Sequence, residues 1–219
     1  MLRYYEYPNK LSEGSVENGF EQGQWTFYHE NGNVKETGNF DKGQRIGSWL
    51  EYYDTKQLKS EINYGNGKCV YFYRDGKKEM EGFMKDDEKD GEWTFWYTDG
   101  NIRSKNNYKK GIRHGVQEKY FSNGQLEASI NYVDGKKQGE AHWGLYDGKK
   151  DIDGFFENDV QNGLWTYWRT DGTKGNEGTY LNGEMHGKWT YWYANGKIWR
   201  EIYYEQGRKN GDYAVNFEN

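Results

Sequence analysis

Apolar residues recur at fixed positions along this chain, in a pattern that repeats every 24 residues. The repeated segment is clearest at residues 187–210, which read GKWTYWYANGKIWREIYYEQGRKN. A fixed period of this length is typical of a repeat array. Seven of the eight steps between successive copies are 24 residues and one is 20. The copies begin at Gly23, Gly47, Gly67, Gly91, Gly115, Gly139, Gly163, Gly187 and Gly211, and positions are numbered 1–24 from each of these glycines.

Each copy carries a turn signal at the same place. Positions 9 and 10 are Asn-Gly or Asp-Gly in seven of the eight complete copies, and only Thr55-Lys56 departs from this. Both central residues of a type I′ turn need a positive φ, which Asn-Gly and Asp-Gly adopt at little cost, so the pattern predicts one β-hairpin per copy. With this turn, position 8 lies opposite position 11 and position 1 lies opposite position 18. The numbers of any two cross-strand partners therefore sum to 19.

Alternation along the predicted strands separates an apolar face from a polar one. Positions 1, 3, 5, 7, 12, 14, 16 and 18 form the apolar face, here called face A. Position 18 is aromatic in seven copies and is predicted to lie opposite the glycine of position 1, which places a bulky side chain against a small one. Position 3 is a tryptophan in five copies, and these residues are predicted to be structural: Trp25, Trp49, Trp93, Trp165 and Trp189.

The opposite face, face B, contains positions 2, 4, 6, 13, 15 and 17 and is mostly polar, although position 6 is usually aromatic. In the last complete copy, Trp192 at position 6 is predicted to pair with Trp199 at position 13, near Tyr203 and near Trp168 of the preceding copy. Exposed apolar residues that a fold does not require indicate an interaction site, and aromatic clusters are typical interface anchors. These four residues are the predicted partner-binding residues. The alternative interpretation is a cap on the C-terminal end of the array.

The predicted fold is all-β, an elongated single-sheet solenoid of tandem 24-residue antiparallel β-hairpins. Residues 23–210 hold eight repeats. Residues 1–22 are predicted to be an N-terminal partial repeat that acts as a cap, and residues 211–219 a C-terminal partial repeat with the same role. Terminal units of such arrays differ from the rest because one flank lacks a neighbour.

Composition agrees with a sheet held by aromatic residues. Only 33% of the residues are hydrophobic and the mean hydropathy is −1.28, yet 19% are Trp, Tyr or Phe. Aliphatic residues for a central core are therefore few, whereas large aromatic side chains can bury much surface. The net charge is −5, with Lys and Glu interleaved, and nucleic-acid binding requires a basic patch. Nucleic acid is not expected as a partner.

Residues that carry chemistry are scarce. The single cysteine, Cys69, excludes an internal disulfide framework. No apolar run reaches the length of a membrane span, and the first residues show no signal-peptide pattern. Catalytic and nucleotide-binding motifs do not occur. We expect no enzyme activity, no metal, no cofactor and a cytoplasmic location, with a cell-surface or secreted location as the alternative if an upstream targeting segment was removed.

The repeated motif is Gly-x-Trp-x-x-aromatic-aromatic-x-Asn/Asp-Gly-x-aliphatic, followed by aromatic-x-x-Gly-x-x-x-Gly. It resembles the MORN repeat (membrane occupation and recognition nexus), and specifically the bacterial MORN-repeat variant, over nearly all of residues 14–217. The resemblance implies a β-hairpin scaffold without catalytic residues. It also implies a role as the antitoxin component of a toxin–antitoxin system.

Two classes of function follow for such a scaffold. The favoured one is non-enzymatic binding of a protein partner along an extended aromatic-rich surface, including the role of an antitoxin or immunity protein. The alternative is a module for lipid head groups or glycans at a membrane or cell surface. This alternative is less favoured, because ligand pockets would need the same aromatic cage in every copy and the copies vary. Peripheral membrane contact is not favoured either.

The structural role of position 3 leads to a first prediction. Trp93→Ala should lower the free energy of unfolding by about 3–5 kcal/mol, the usual cost of truncating a large aromatic residue in a core. Urea unfolding would measure the loss. An unchanged unfolding midpoint would show that face A is not the buried face.

Overall fold

A computed structural model describes residues 1–6, 9–211 and 214–215 of the chain. These residues form β-strands joined by short turns and contain no helix. The predicted all-β class and the tandem antiparallel hairpins are confirmed. Most of the predicted C-terminal partial repeat, namely residues 212–213 and 216–219, lies outside the described residues.

The chain divides into two compact units. The first comprises Met1–Ile102 and Tyr108–Ile112, and the second comprises Arg103–Asn107 and Arg113–Asn219. The described strands are, in chain order, β1 (Leu2–Glu6), β2 (Asn9–Glu17), β3 (Phe20–Tyr28), β4 (Val34–Asp41), β5 (Gln44–Tyr52), β6 (Leu58–Tyr64), β7 (Asn66–Phe72), β8 (Lys78–Lys85), β9 (Glu88–Trp96), β10 (Ile102–Lys109), β11 (Ile112–Tyr120), β12 (Leu126–Val133), β13 (Lys136–Gly144), β14 (Lys150–Glu157), β15 (Val160–Gln161), β16 (Gly163–Trp168), β17 (Lys174–Leu181), β18 (Glu184–Trp192), β19 (Ile198–Glu205), β20 (Arg208–Lys209) and β21 (Ala214–Val215).

Each repeat within a unit is one hairpin, and successive hairpins pair with each other. In the first unit the repeat hairpins are β3/β4, β5/β6 and β7/β8, and β4 also pairs with β5 of the next repeat. In the second unit they are β11/β12, β13/β14, β16/β17 and β18/β19. All of these pairings are antiparallel, so every hairpin is hydrogen-bonded to its neighbours within the unit.

The turn at positions 9 and 10 is not of type I′, and that prediction is wrong. In the first repeat the Gly32 N–H donates to the His29 carbonyl (2.9 Å) and the His29 N–H donates to the Asn33 carbonyl (2.8 Å). Gly32 has a φ of 83°, whereas Asn31 is not among the residues with positive φ. This is a three-residue loop in which a type I turn ends in a left-handed glycine.

The Asn or Asp at position 9 stabilises the loop through its side chain. The Asn31 Oδ1 accepts a hydrogen bond from the Asn33 N–H (3.0 Å), which closes an Asx turn. The same bond to the amide two residues later recurs at six further copies of this turn: Asp75, Asp99, Asn123, Asp147, Asp171 and Asn195. The Asn/Asp-Gly pair therefore favours this loop, but for a different reason from the one that predicted it, and Thr55-Lys56 forms the same loop without it.

Type I′ geometry occurs instead in the connections between repeats, at positions 20 and 21. Lys42 and Gly43 have φ values of 48° and 77° and lie between the paired residues Asp41 and Gln44. Both central residues also have positive φ at Asn18-Gly19, Asp86-Asp87, Lys110-Gly111, Asp134-Gly135, Asn158-Asp159, Asn182-Gly183 and Gln206-Gly207. These two-residue turns join one hairpin to the next.

The three-residue loop changes the register close to the turn. Positions 1–5 pair as predicted with positions 18–14, for example Gly23 with Phe40, so the glycine does lie opposite the aromatic residue. Position 6, however, pairs with position 12 instead of position 13, as Tyr28 does with Val34. Position 13 has no partner on the facing strand and forms a β-bulge. Because cross-strand partners point to the same face, position 12 belongs to face B, and its predicted place on face A is wrong.

The five position 3 tryptophans are buried, with at most 3% of their surface exposed. Each indole ring lies against the backbone of the position 16 glycine in the preceding repeat: a Cβ atom added to Gly38 would lie 2.3 Å from the Trp49 ring, and one added to Gly178 would lie 2.1 Å from that of Trp189. Each indole N–H also donates to the position 17 carbonyl of the preceding repeat, at 3.0 to 3.2 Å. The tryptophans therefore join neighbouring hairpins.

The repeats without this tryptophan follow the same rule. Cys69, Gln117 and Ala141 occupy position 3 there, and position 16 of each preceding repeat is Ile62, Asn106 or Ile130. There are eight junctions between a position 16 residue and position 3 of the next repeat. Position 16 is glycine in the five junctions that have a tryptophan and in none of the other three. The Gln117 Nε2 donates to the Asn107 carbonyl (2.7 Å) and so replaces the hydrogen bond of the indole.

Cationic side chains at position 23 cover the aromatic residues of face A. The Arg45 guanidinium lies 4.0 Å from the centre of the Trp49 ring, and the Lys89 ammonium lies 4.4 Å from that of Trp93. Burial lowers the pKa of Lys89, which agrees with its place among aromatic rings. Such contacts add cation–π attraction to the apolar packing.

The contact between glycine and tryptophan leads to a second prediction. Gly38→Ala should destabilise the protein by about 1–3 kcal/mol, because the added methyl group overpacks the Trp49 ring. Urea unfolding would measure the change. The same substitution in a Trp49→Gln background should cost much less, since Gln117 shows that glutamine fits where glycine is absent. Equal costs in both backgrounds would contradict the coupling.

Candidate functional site

The structure separates the four aromatic residues that were predicted to form one cluster. Trp192 pairs with Ile198 and not with Trp199, so the predicted pair is wrong. The Trp199 ring lies 6.4 Å from that of Tyr191 and 6.1 Å from that of Tyr193, between ring centres. These tyrosines occupy face A. The bulge at position 13 is the physical reason, because it turns Trp199 to the face opposite Trp192.

Trp168 and Trp192 do lie on the same face, on either side of Lys174. The Lys174 ammonium is 5.8 Å from the Trp168 ring centre and 5.5 Å from the Trp192 ring centre. It also forms an ion pair of 2.6 Å with Glu177. Tyr203 lies farther along face B, opposite Lys188, and is half exposed. The structure thus assembles two of the four predicted residues around a lysine.

The arrangement around Lys174 recurs in other repeats. A lysine at position 12 forms an ion pair with the carboxylate at position 15, and its ammonium lies over the position 6 ring of the next repeat. Lys78 is 2.8 Å from Glu81 and 5.6 Å from the centre of the Trp96 ring, and Lys150 is 2.9 Å from Asp153 and 5.4 Å from that of Trp168. We call this a lysine bridge. It covers aromatic rings on face B in the way that position 23 covers those on face A.

An exposed apolar surface lies on strands β14–β17 of the second unit. It comprises Phe155, Val160, Leu164 and Leu181, here called the apolar patch, whose exposed fractions are 37%, 41%, 58% and 47%. Phe155 and Leu164 line one depression of about 440 Å³. A Cβ atom added to Gly183, two residues after Leu181, would lie 3.3 Å from Val160. By the register all four side chains point to face B.

Acidic residues surround the apolar patch. Glu157 pairs across the strands with Val160, and Glu184 pairs with Leu181. Glu140 and Asp153 line the depression beside Leu164. Burial opposes ionisation of Asp153, but hydrogen bonds from His142 and Lys150 outweigh it and lower the pKa of this carboxyl. Asp153 is therefore ionised at neutral pH, in an ion pair of 2.9 Å with Lys150.

Sequence reasoning missed the apolar patch although the signal was present. Leu164 occupies position 2, which is polar in six of the other seven complete repeats, and Phe155 occupies position 17, which is often Asn. Departures from the repeat pattern that expose apolar surface were the stated criterion for a site. The aromatic residues of the last repeat are departures of the same kind, but their predicted register is wrong.

The described residues contain no group of three or more His, Cys, Asp or Glu arranged to hold a metal ion. His142 lies near two carboxylates, 2.8 Å from Asp153 and 3.6 Å from Glu140, in ion pairs that depend on its protonation. No helix that could span a membrane is found in the part of the chain that the structure describes.

Comparison with known families identifies the repeat. The family model described as MORN repeat variant matches residues 21–42, 45–66, 89–110, 113–134 and 185–206, which together make up half of the chain. The chain belongs to this family. Each matched segment begins two residues before the glycine of a 24-residue copy, so the family model and the repeats numbered here agree in phase.

Other comparisons carry less information. No curated protein matches the chain. Among solved structures, a Tc holotoxin pore of Photorhabdus luminescens with a mutation in TccC3 is 13% identical and covers 90% of this chain, with a TM-score of 0.23. A structure of TcdB2-TccC3-TEV is 12% identical and covers 98% of this chain, with a TM-score of 0.21. The matched regions span 13% and 16% of those chains, and TM-scores this low support no argument.

The lysine bridge leads to a prediction on pH. Burial opposes ionisation of Glu177, but hydrogen bonds from Lys174 and Thr166 outweigh it and lower the pKa of the carboxyl. The stabilisation is therefore present above the ordinary carboxyl pKa of about 4.3 and is lost as the pH falls through the lowered value.

Glu177→Gln should cost roughly 0.5–1 kcal/mol at pH 7, and the difference from the unmodified protein should shrink in acid. Urea midpoints at both pH values would measure it, with Glu184→Gln as an exposed control. A difference that stays constant with pH would contradict the role of the ionised carboxylate.

Proposed function

We propose that this MORN-repeat protein is a non-enzymatic scaffold that binds a protein partner, with the contact centred on Leu164. The exposed apolar patch is the observation that carries the proposal. Leu164 is 58% exposed, and Phe155, which lines the same depression, is 37% exposed. A partner that covers these side chains would gain roughly 25 cal/mol for each Å² of apolar surface removed from water.

Elsewhere in the chain the protein's own cations cover aromatic rings, and the exposed side chain of Leu164 differs from those rings. Position 23 cations cover rings of face A, as Lys137 does 4.7 Å from the centre of the Phe156 ring. Lysine bridges cover rings of face B. Leu164 has no such cover, and exposed contiguous apolar surface of this kind marks interaction sites.

The acidic rim indicates the chemistry of the partner. Glu140, Glu157 and Glu184 lie beside the apolar side chains, so a complementary partner presents apolar residues flanked by Lys or Arg. Charged rims mainly raise association rates, and raised salt screens them. We therefore expect association with the partner to slow as the ionic strength increases.

An antitoxin or immunity role is the form of this function that the family resemblance implies. In that role the scaffold would mask a surface of a toxin by covering it with the apolar patch. Trp168, Trp192, Trp199 and Tyr203 stay predicted contact residues, now divided between two faces. Trp199→Ala and Tyr203→Ala test them separately from Leu164.

The experiment compares two substitutions at the same repeat position. Leu164→Glu places a charge in the apolar patch, whereas Val116→Glu places one at position 2 of another repeat, where the side chain is also exposed. The partner would first be captured from cells of the native organism and identified, and its affinity would then be measured with purified proteins. We expect Leu164→Glu to weaken binding by at least about tenfold and Val116→Glu to change it little.

Both variants should keep the melting temperature of the unmodified protein, since both side chains are exposed. Equal affinities of the two variants for the partner would overturn the proposed contact surface. A large loss of melting temperature in Leu164→Glu alone would show that the residue is structural.

A further inference from the structure

A second surface feature lies on face B of the first unit, between the first and second repeats. It is a depression of about 460 Å³, within the range of small-molecule sites. We call it the Tyr52 slot. Its lining includes Thr26, Asn33, Val34, Thr37, Tyr52 and Lys56.

In three other complete repeats, those of Lys78, Lys150 and Lys174, a lysine bridge fills this place. The lysine bridge of Lys78 and Glu81 lies before Trp96, and that of Lys174 and Glu177 lies before Trp192. In the first repeat the bridge is missing, because Val34 stands at the lysine position and Thr37 at the carboxylate position. Both charges are also absent at Leu126 and Ser129, but there the next repeat has Gly144 at position 6 and not an aromatic residue. The slot in front of Tyr52 is therefore open, and its floor is uncharged.

Hydrogen bonding fixes what the floor of the slot offers to a ligand. The Thr37 hydroxyl donates its one proton to the Trp25 carbonyl (2.9 Å). The contact of 3.3 Å between the two threonine hydroxyls must then use the proton of Thr26. Both hydroxyl oxygens are left with acceptor capacity only. Lys56 supplies a donor at the edge of the slot.

These features together define one kind of ligand. An aromatic ring, an aliphatic wall at Val34, the two threonine acceptors, the amide of Asn33 and the lysine donor suit a neutral ring that has an apolar C–H face and hydroxyl groups on its edge. A free ammonium would find no carboxylate in the lining and would meet the like charge of Lys56. A purely apolar group would leave the polar groups of the lining without partners once water is displaced.

We propose that the Tyr52 slot binds a pyranose ring of a glycan. The C–H face of the sugar packs on Tyr52 and Val34, its hydroxyls donate to Thr26 and Thr37, and another hydroxyl accepts from Lys56. The slot belongs to the first unit and shares no residue with the apolar patch. A test of this proposal is therefore independent of the test of the proposed protein contact.

Saturation-transfer NMR on the full chain tests the proposal, with the methyl pyranosides of glucose, galactose, mannose and N-acetylglucosamine as probes. At least one probe should receive saturation from the protein. Tyr52→Leu should weaken its binding by about tenfold or more, as expected for the loss of a central aromatic contact. Phe72→Leu is the matched control, because Phe72 occupies the same position one repeat later, and it should leave the signal unchanged.

A second variant closes the slot without removing Tyr52. Val34→Lys combined with Thr37→Glu rebuilds the lysine bridge seen in three other complete repeats, so it should fold and abolish sugar binding. Saturation transfer that survives in this variant would overturn the proposal. So would the absence of transfer to all four sugars, including the case in which n-butylammonium, tested in parallel, binds instead.

Discussion

The packing of an indole ring on a glycine of the preceding hairpin is the contact on which the rest of each unit depends. Position 16 must be glycine there, because a Cβ atom would collide with the ring. The indole N–H in turn satisfies a carbonyl of the same neighbouring strand. Position 18 completes the contact, as Phe40 and Tyr180 meet Trp49 and Trp189 edge to face, with ring centres 4.9 and 5.2 Å apart. Each tryptophan thus links two repeats and not only the two strands of its own hairpin.

The covering of aromatic rings by the chain's own cations connects this architecture to function. Arg45 and Lys89 cover rings on face A, and the lysine bridges cover rings on face B. A fold with few aliphatic residues can keep large aromatic groups near its surface in this way, since the ammonium or guanidinium is solvated while its stem is apolar. Some of the surface lacks such a cover. The apolar patch around Leu164 and the slot before Tyr52 are two such places.

The candidate site illustrates how a small local error affects a prediction about function. Assigning a two-residue turn to Asn195-Gly196 placed Trp199 opposite Trp192, and both residues on face B. The actual loop has three residues, and the additional residue is accommodated by a bulge at Trp199 itself. A shift of one residue moves a side chain to the other face of a sheet. The predicted cluster was therefore divided, although its members were correctly recognised as departures from the repeat.

The sequence by itself determined the period, the hairpins, the strand pairing of positions 1–5 and the family, because these depend on local chemistry that recurs in every copy. It also contained the rule that links Gly38 to Trp49 and Ile62 to Cys69, but that rule becomes visible only when neighbouring hairpins are placed side by side. Tertiary structure decided which turn is of type I′, on which face Trp199 lies, and where Leu164 and Tyr52 are left without a cover. These features depend on the three-dimensional arrangement of the strands and on contacts between repeats. The pattern of residues within one repeat does not determine either of them.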